Sequence, residues 1–202
     1  MNTGRMARFG VLALGLGALA ADAGAETAKS RWLDAQPVAN WNKAGGAIPR
    51  GPKAAAADIR DCERRGAEEN PKSAATPETR QVAAAGWLGA AVEKRAGDTV
   101  YVFARNGVDG MCRPMDYQVF VFVAGRFAGT IAPRPMDSRE DGSGYLDKAD
   151  ARRFTVNFTR YRKDDALCCP SRTSTVTYEI RAAPGGAGAL AVPVGVETKA
   201  TQ

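Results

Sequence analysis

From Trp87 onward the hydrophobic positions abandon any helical spacing and fall into short runs of β-branched and aromatic residues cut by turn residues. Residues 87–92 and 99–105 form one pair of predicted strands, with Ala96-Gly97-Asp98 as the turn between them. Residues 117–123 and 126–131 form a second pair, joined at Ala124-Gly125 by a tight turn. Residues 154–161 and 173–180 complete a set of about six. In Tyr117-Gln118-Val119-Phe120-Val121-Phe122-Val123 both alternating sets are largely apolar, which predicts a central strand covered on each face. The later strands alternate more cleanly. Phe154, Val156 and Phe158 oppose Thr155, Asn157 and Thr159, and Val176, Tyr178 and Ile180 oppose Thr175, Thr177 and Glu179, so one face should meet water. One helix is signalled, by Thr76 as N-cap, Pro77 at the first helical position and Glu78 in the first turn; it should run to Ala85 and close at Gly86. The expected class is α+β: a mostly antiparallel sheet of about six strands with one short helix packed on it.

The flanks lack such patterning. Arg5 and Arg8 precede an apolar run from Phe9 to Ala21, and Ala23-Gly24-Ala25 supplies the small residues a signal peptidase needs, so 1–25 reads as a signal peptide cleaved near Ala25. That run is roughly 13 residues, short of the ~20 a membrane-crossing helix requires, and no stable membrane anchor is expected. Residues 26–61, rich in Ala, Gly and Pro, read as an extended N-terminal arm whose Trp32 and Trp41 pack onto the domain. Residues 62–182 form the single domain, and 183–202, with Pro184-Gly185-Gly186, read as a flexible tail.

Composition narrows the chemistry. The 202 residues contain no histidine, which removes Ser-His-Asp triads, Cys-His nucleophiles and imidazole metal sites together. The formal charge of +6 is mild and is spread among acids, as in Asp58-Ile59-Arg60-Asp61-Cys62-Glu63-Arg64-Arg65, so nucleic acid is not an expected partner.

The cysteines carry the strongest expectation. In an oxidising compartment an even count reads as a bridge framework, here disulfides among Cys62, Cys112, Cys168 and Cys169. Neighbouring Cα atoms lie about 3.8 Å apart, under the usual ~4.4 Å lower limit for a bridge, and Pro170 biases Cys169 toward extended backbone. Cys168 and Cys169 are therefore expected to reach separate partners, Cys62 and Cys112, in an order the sequence leaves open. A vicinal disulfide acting as a switch, a reactive thiol pair and a four-cysteine zinc site are the competing readings.

The segments "NGVDGMCRPMDYQVFVFVAGRFAGTIAPRPMDSREDGS" and "FTRYRKDDALCCPSRTSTVTYEI" resemble the LppP/LprE lipoprotein family of bacterial envelope proteins over roughly 86–180. The resemblance is most specific at Gly110-Met111-Cys112-Arg113-Pro114, Phe127-Ala128-Gly129-Thr130 and Leu167-Cys168-Cys169-Pro170-Ser171. It implies an envelope location, periplasmic or secreted. The leader has no lipobox cysteine, so membrane attachment is not implied, and the family brings no reaction or catalytic residues.

Candidate ligand-binding residues are Arg113, Asp137, Arg139 and Asp141. Asp137, Asp141 and Gly142 fall at the first, fifth and sixth positions of a calcium-loop spacing, but Arg139 and Lys148 occupy positions that need ligands, so no metal is expected. Arg113 could clamp an anion or pair with Asp116 or Asp109. The Thr/Asn face of the later strands could bind a glycan or a partner strand, or be only the wet side of a sheet. The reading is a non-catalytic binding or structural domain of the envelope, without cofactor, whose partner is a protein or cell-wall glycan met by the Arg113 loop and the 136–145 loop. The alternatives are a histidine-independent enzyme using the carboxylates of 137–141, and a thiol redox protein.

Overall fold

A computed structural model describes residues 31–66, 75–139, 142–166 and 168–201. The signal-peptide reading of 1–25 and the candidate Asp141 lie outside the described residues. The helix opened by Thr76 is present as α2 (Pro77–Ala84), with Thr76 and Thr79 exchanging side chain-to-backbone hydrogen bonds in a capping box. A second helix, α1 (Ala56–Gly66), precedes it. Eight strands follow among the described residues: β1 (Leu88–Ala96), β2 (Thr99–Val108), β3 (Pro114–Val123), β4 (Arg126–Thr130), β5 (Gly144–Ala149), β6 (Arg153–Arg160), β7 (Arg172–Ala182) and β8 (Ala189–Ala200). They form two antiparallel meanders, β1-β2-β3-β4 and β5-β6-β7-β8, so the α+β class holds while the expectation of one six-stranded sheet is corrected to two four-stranded sheets.

The two-sided burial read in β3 reflects this layering. Tyr117, Val119 and Val121 face the second sheet, where they share a core with Phe154, Val156, Phe158, Val176 and Tyr178. Phe120 and Phe122 point the other way, into a smaller core with Val100 and Val102 of β2 under Val82 of α2 and Trp87. The β3–β4 hairpin turns at Ala124 and Gly125, both at positive φ, the backbone form that suits a two-residue hairpin loop. The second sheet keeps its Thr155, Asn157, Thr175 and Thr177 face half-exposed, as the alternation predicts.

The elements absent from the sequence reading are those with little apolar periodicity. β5 carries Asp147 and Lys148 and lies at a sheet edge, where its outward positions are wet. β8 occupies the stretch expected as a flexible tail. Its Pro193 sits opposite Tyr178 beside a register shift, and an edge strand tolerates a residue without an N–H. α1 buries only Ile59 and Cys62, one turn apart, within an otherwise charged sequence.

The stretch expected as an arm is a strap. Trp32 meets Trp41 and Phe158 edge-on at 4.9 and 5.4 Å, and Leu33 is fully enclosed. Asn42 closes the open side of the sandwich: its Nδ2 donates to Thr130 O of β4 (3.0 Å) and Ala191 O of β8 (2.8 Å), and its Oδ1 accepts the Thr130 N–H (2.9 Å). A Cβ at Gly129 would strike this amide, which explains the glycine there. Farther on, the strap crosses to the helical face, where the Trp87 indole donates to Pro49 O (2.8 Å) and the buried Asn106 amide donates to Pro52 O and Gly86 O while accepting the Leu88 N–H.

Candidate functional site

The cysteine pairing departs from expectation. Cys62 joins Cys112, with Cα atoms 5.6 Å apart across 50 residues, and Cys168 joins Cys169. The layering supplies the reason: Cys62 and Cys112 belong to the first sheet's side of the molecule, the adjacent pair to the β6–β7 connection of the second. The Ala55 N–H donates to Asn106 O (2.8 Å), which pins the start of α1 beside the end of β2 and carries Cys62 to the β2–β3 loop. The inference from a 3.8 Å Cα separation that neighbouring cysteines would seek other partners is overturned.

The loop between β2 and β3 is built around Asp109. Its Oδ1 accepts the Met111 N–H (2.9 Å) and the Arg113 N–H (3.0 Å), and its Oδ2 accepts Arg113 Nε (2.7 Å). The Cys112 N–H donates to Asp109 O (2.9 Å), and the Asp109 N–H to Arg113 O (3.0 Å). Burial pushes the Asp109 carboxyl up, but the Arg113 and Met111 donors and the guanidinium charge outweigh it, and the group is held below the usual carboxylate range. Arg113 is thus engaged by Asp109, the local pairing weighed from sequence. Cys112 adopts positive φ (62°) within this turn, and Met111, at its tip, is 77% exposed.

The 136–139 stretch runs beside that loop. Met136 and Tyr117 exchange backbone hydrogen bonds (2.8 and 2.9 Å), the Ser138 N–H donates to Pro114 O (3.0 Å), and buried Asp137 accepts the Asp116 N–H (2.7 Å) through Oδ1. The structure therefore brings the two loops read from sequence together, with Asp137 turned inward and Arg139 on the surface. Behind the Met111 tip, α1 and the loop enclose a cleft of about 250 Å³ lined by Asp58, Asp61, Arg65, Asp109, Val108 and Gly110 beside the Cys62–Cys112 bridge. Three carboxylates meet there, but Asp61 is paired with Arg64, Asp109 with Arg113, and Arg65 lines the same wall, so the cleft is polar and close to charge-balanced. The cleft is not visible in the sequence pattern because the boundary between arm and domain at 61/62 cuts through α1 and leaves Asp58 and Asp61 in an unpatterned stretch. Asp58 and Asp61, three apart, would have stood out once a helix was drawn through them.

A second cleft of about 260 Å³ lies on the strap side, walled by Trp41, Phe127, Pro49 and Pro133 with Asn42, Thr130 and Lys43 at its polar end. The polar atoms of Trp41 and Asn42 are committed to Thr130 and Ala191, which leaves the rings as a mainly apolar wall.

Among the described residues no group of three or more Cys, Asp or Glu side chains is placed to hold a metal ion, and no helix is long and apolar enough to cross a membrane. Residues 92–183 match the family model described as LppP/LprE lipoprotein, overlapping most of the span over which the cysteine segments resemble that family. The match points to the cell envelope and assigns no reaction. No curated protein and no solved structure matches the chain.

Proposed function

We propose, with the LppP/LprE match over 92–183 as premise, that this is a periplasmic or secreted envelope domain that works by binding, and that its partner is another envelope protein engaged by the Met111 loop. The observation that carries the reading is Met111 itself: a large apolar side chain 77% exposed on a loop that leaves it little freedom. Asp109 fixes both ends of that loop, and the Cys62–Cys112 bridge ties it to α1. A pre-ordered loop loses little entropy on docking, and methionine adapts its shape to an opposing apolar surface. The adjoining cleft with Asp58, Asp61, Asp109 and Arg65 sets a polar rim beside that apolar contact, and such a pairing of chemistries is characteristic of protein interfaces. Arg139, on the neighbouring stretch, is exposed and would suit an acidic rim on the partner.

The test is site-specific photocrosslinking in intact cells from position 111, with position 199 as an exposed control. The reading expects one discrete, protease-sensitive adduct from 111. No adduct, the same adducts from both positions, or a heterogeneous adduct removed by a wall-degrading glycosidase would each overturn it, the last in favour of cell-wall glycan.

A further inference from the structure

The two disulfides differ in what they connect. Cys62–Cys112 closes a span of 50 residues and fastens α1 to the β2–β3 loop, with Cys62 buried and Cys112 half-buried. Cys168–Cys169 joins chain neighbours. It restrains no distant segments, so the loop-closure stabilisation of an ordinary bridge does not arise. Its connection is held by other means. The Asp165 carboxylate accepts the Arg162 N–H (2.7 Å), the Ser171 N–H (2.9 Å) and the Ser171 hydroxyl (2.8 Å), which draws together the two feet of the loop between β6 and β7. The Cys169 N–H donates to Ala166 O (2.8 Å) and the Thr201 N–H to Ser171 O (2.8 Å). Both cysteines are exposed, so a thiolate can approach from solvent.

We propose that Cys168–Cys169 is a thiol-exchange site, a two-electron couple opened by an extracytoplasmic dithiol while Cys62–Cys112 stays closed. The attacking thiolate of the dithiol forms a bond to one of the two sulfurs. The Cys168–Cys169 bond breaks, and its electron pair leaves on the other cysteine as thiolate, which takes a proton. The second thiolate of the reductant then attacks its own sulfur in the mixed disulfide. The reductant leaves as a disulfide, and the remaining cysteine takes the second proton. The dithiol is oxidised by two electrons and the protein gains two hydrogens. Exposed bridges are the ones thiols reduce most readily, whereas buried structural ones resist. This site lies on the second sheet and does not depend on the Met111 reading.

The experiment treats the full chain with graded dithiothreitol, traps thiols with N-ethylmaleimide and maps the labelled peptides by mass. Cys168 and Cys169 should be labelled together at a dose about tenfold below that which labels Cys62 and Cys112, with the melting temperature unchanged at that dose. Labelling of all four at one dose, or of Cys62 and Cys112 first, overturns the proposal. A second arm uses Cys168→Ser/Cys169→Ser: an unchanged melting temperature supports an exchange role, and a fall comparable to that of Cys62→Ser/Cys112→Ser overturns it by making the vicinal bond structural.

Discussion

The first sheet is covered on both faces and the second on one, and this difference orders what each contributes. Between the second sheet and α2, the strand β3 has no wet side, so every residue from Tyr117 to Phe122 is buried. In the second sheet β6 and β7 bury alternate residues and leave a Thr/Asn face toward solvent. The first sheet is therefore the structural middle of the molecule and also carries the Met111 loop on its end. The second covers one side of the core and turns its Thr/Asn face away from that middle.

Substitution on the outward face of each sheet tests this most directly. Phe120→Ala, on the face of the first sheet away from the second, should cost about 3–5 kcal/mol in urea unfolding, because it opens a cavity under Val82 and Trp87. A loss under about 1 kcal/mol would mean that α2 does not cover that face. Asn42→Ala removes the amide that joins the two sheets and leaves the buried Thr130 N–H unpaired, for an expected loss of about 2 kcal/mol. The same unfolding curves read it. The acid limb of stability should depend on Asp109: its carboxyl is held below the ordinary value, so its contribution is full above about pH 4 and disappears as the pH falls through the lowered value. Asp109→Asn should flatten that limb in a pH series of melting temperatures; an unaltered limb would show that the Asp109 turn is not coupled to folding. Last, Thr177→Ser on the wet face should change stability by no more than about 0.5 kcal/mol, and a larger effect would mean that this face is covered in solution.

Much of this difference was legible in the sequence. The doubly apolar run 117–123 implied something on each side, and the alternation at Phe154 and Val176 implied one wet face; both hold. The existence of two sheets was not legible, because β5 and β8 are edge strands whose sequences, Gly-Tyr-Leu-Asp-Lys-Ala and a stretch broken by Pro193 and Gly195, carry charge or turn residues where a central strand would carry apolar ones. The cysteine pairing was missed for a separate reason: a 3.8 Å Cα separation followed by Pro170 read as excluding a bridge between neighbours, and the structure joins Cys168 to Cys169 and Cys62 to Cys112. At the candidate site, the pairing of Arg113 with Asp109 was within reach of local spacing. The cleft behind Met111 was not, since it depends on α1 lying against β2, which is secured by the Ala55–Asn106 hydrogen bond and the 50-residue bridge.

The clasp at Asn42 imposes a timetable on assembly. The residue is synthesised early, yet one of its acceptors, Ala191, comes 149 positions later, so the strap cannot seat until nearly the whole chain is available. Such far-separated contacts form late and slowly. A chain delivered from its N-terminus across a membrane would remain unlatched through most of its passage, with the second arm of the Asn42 amide unmet until the last strand arrives.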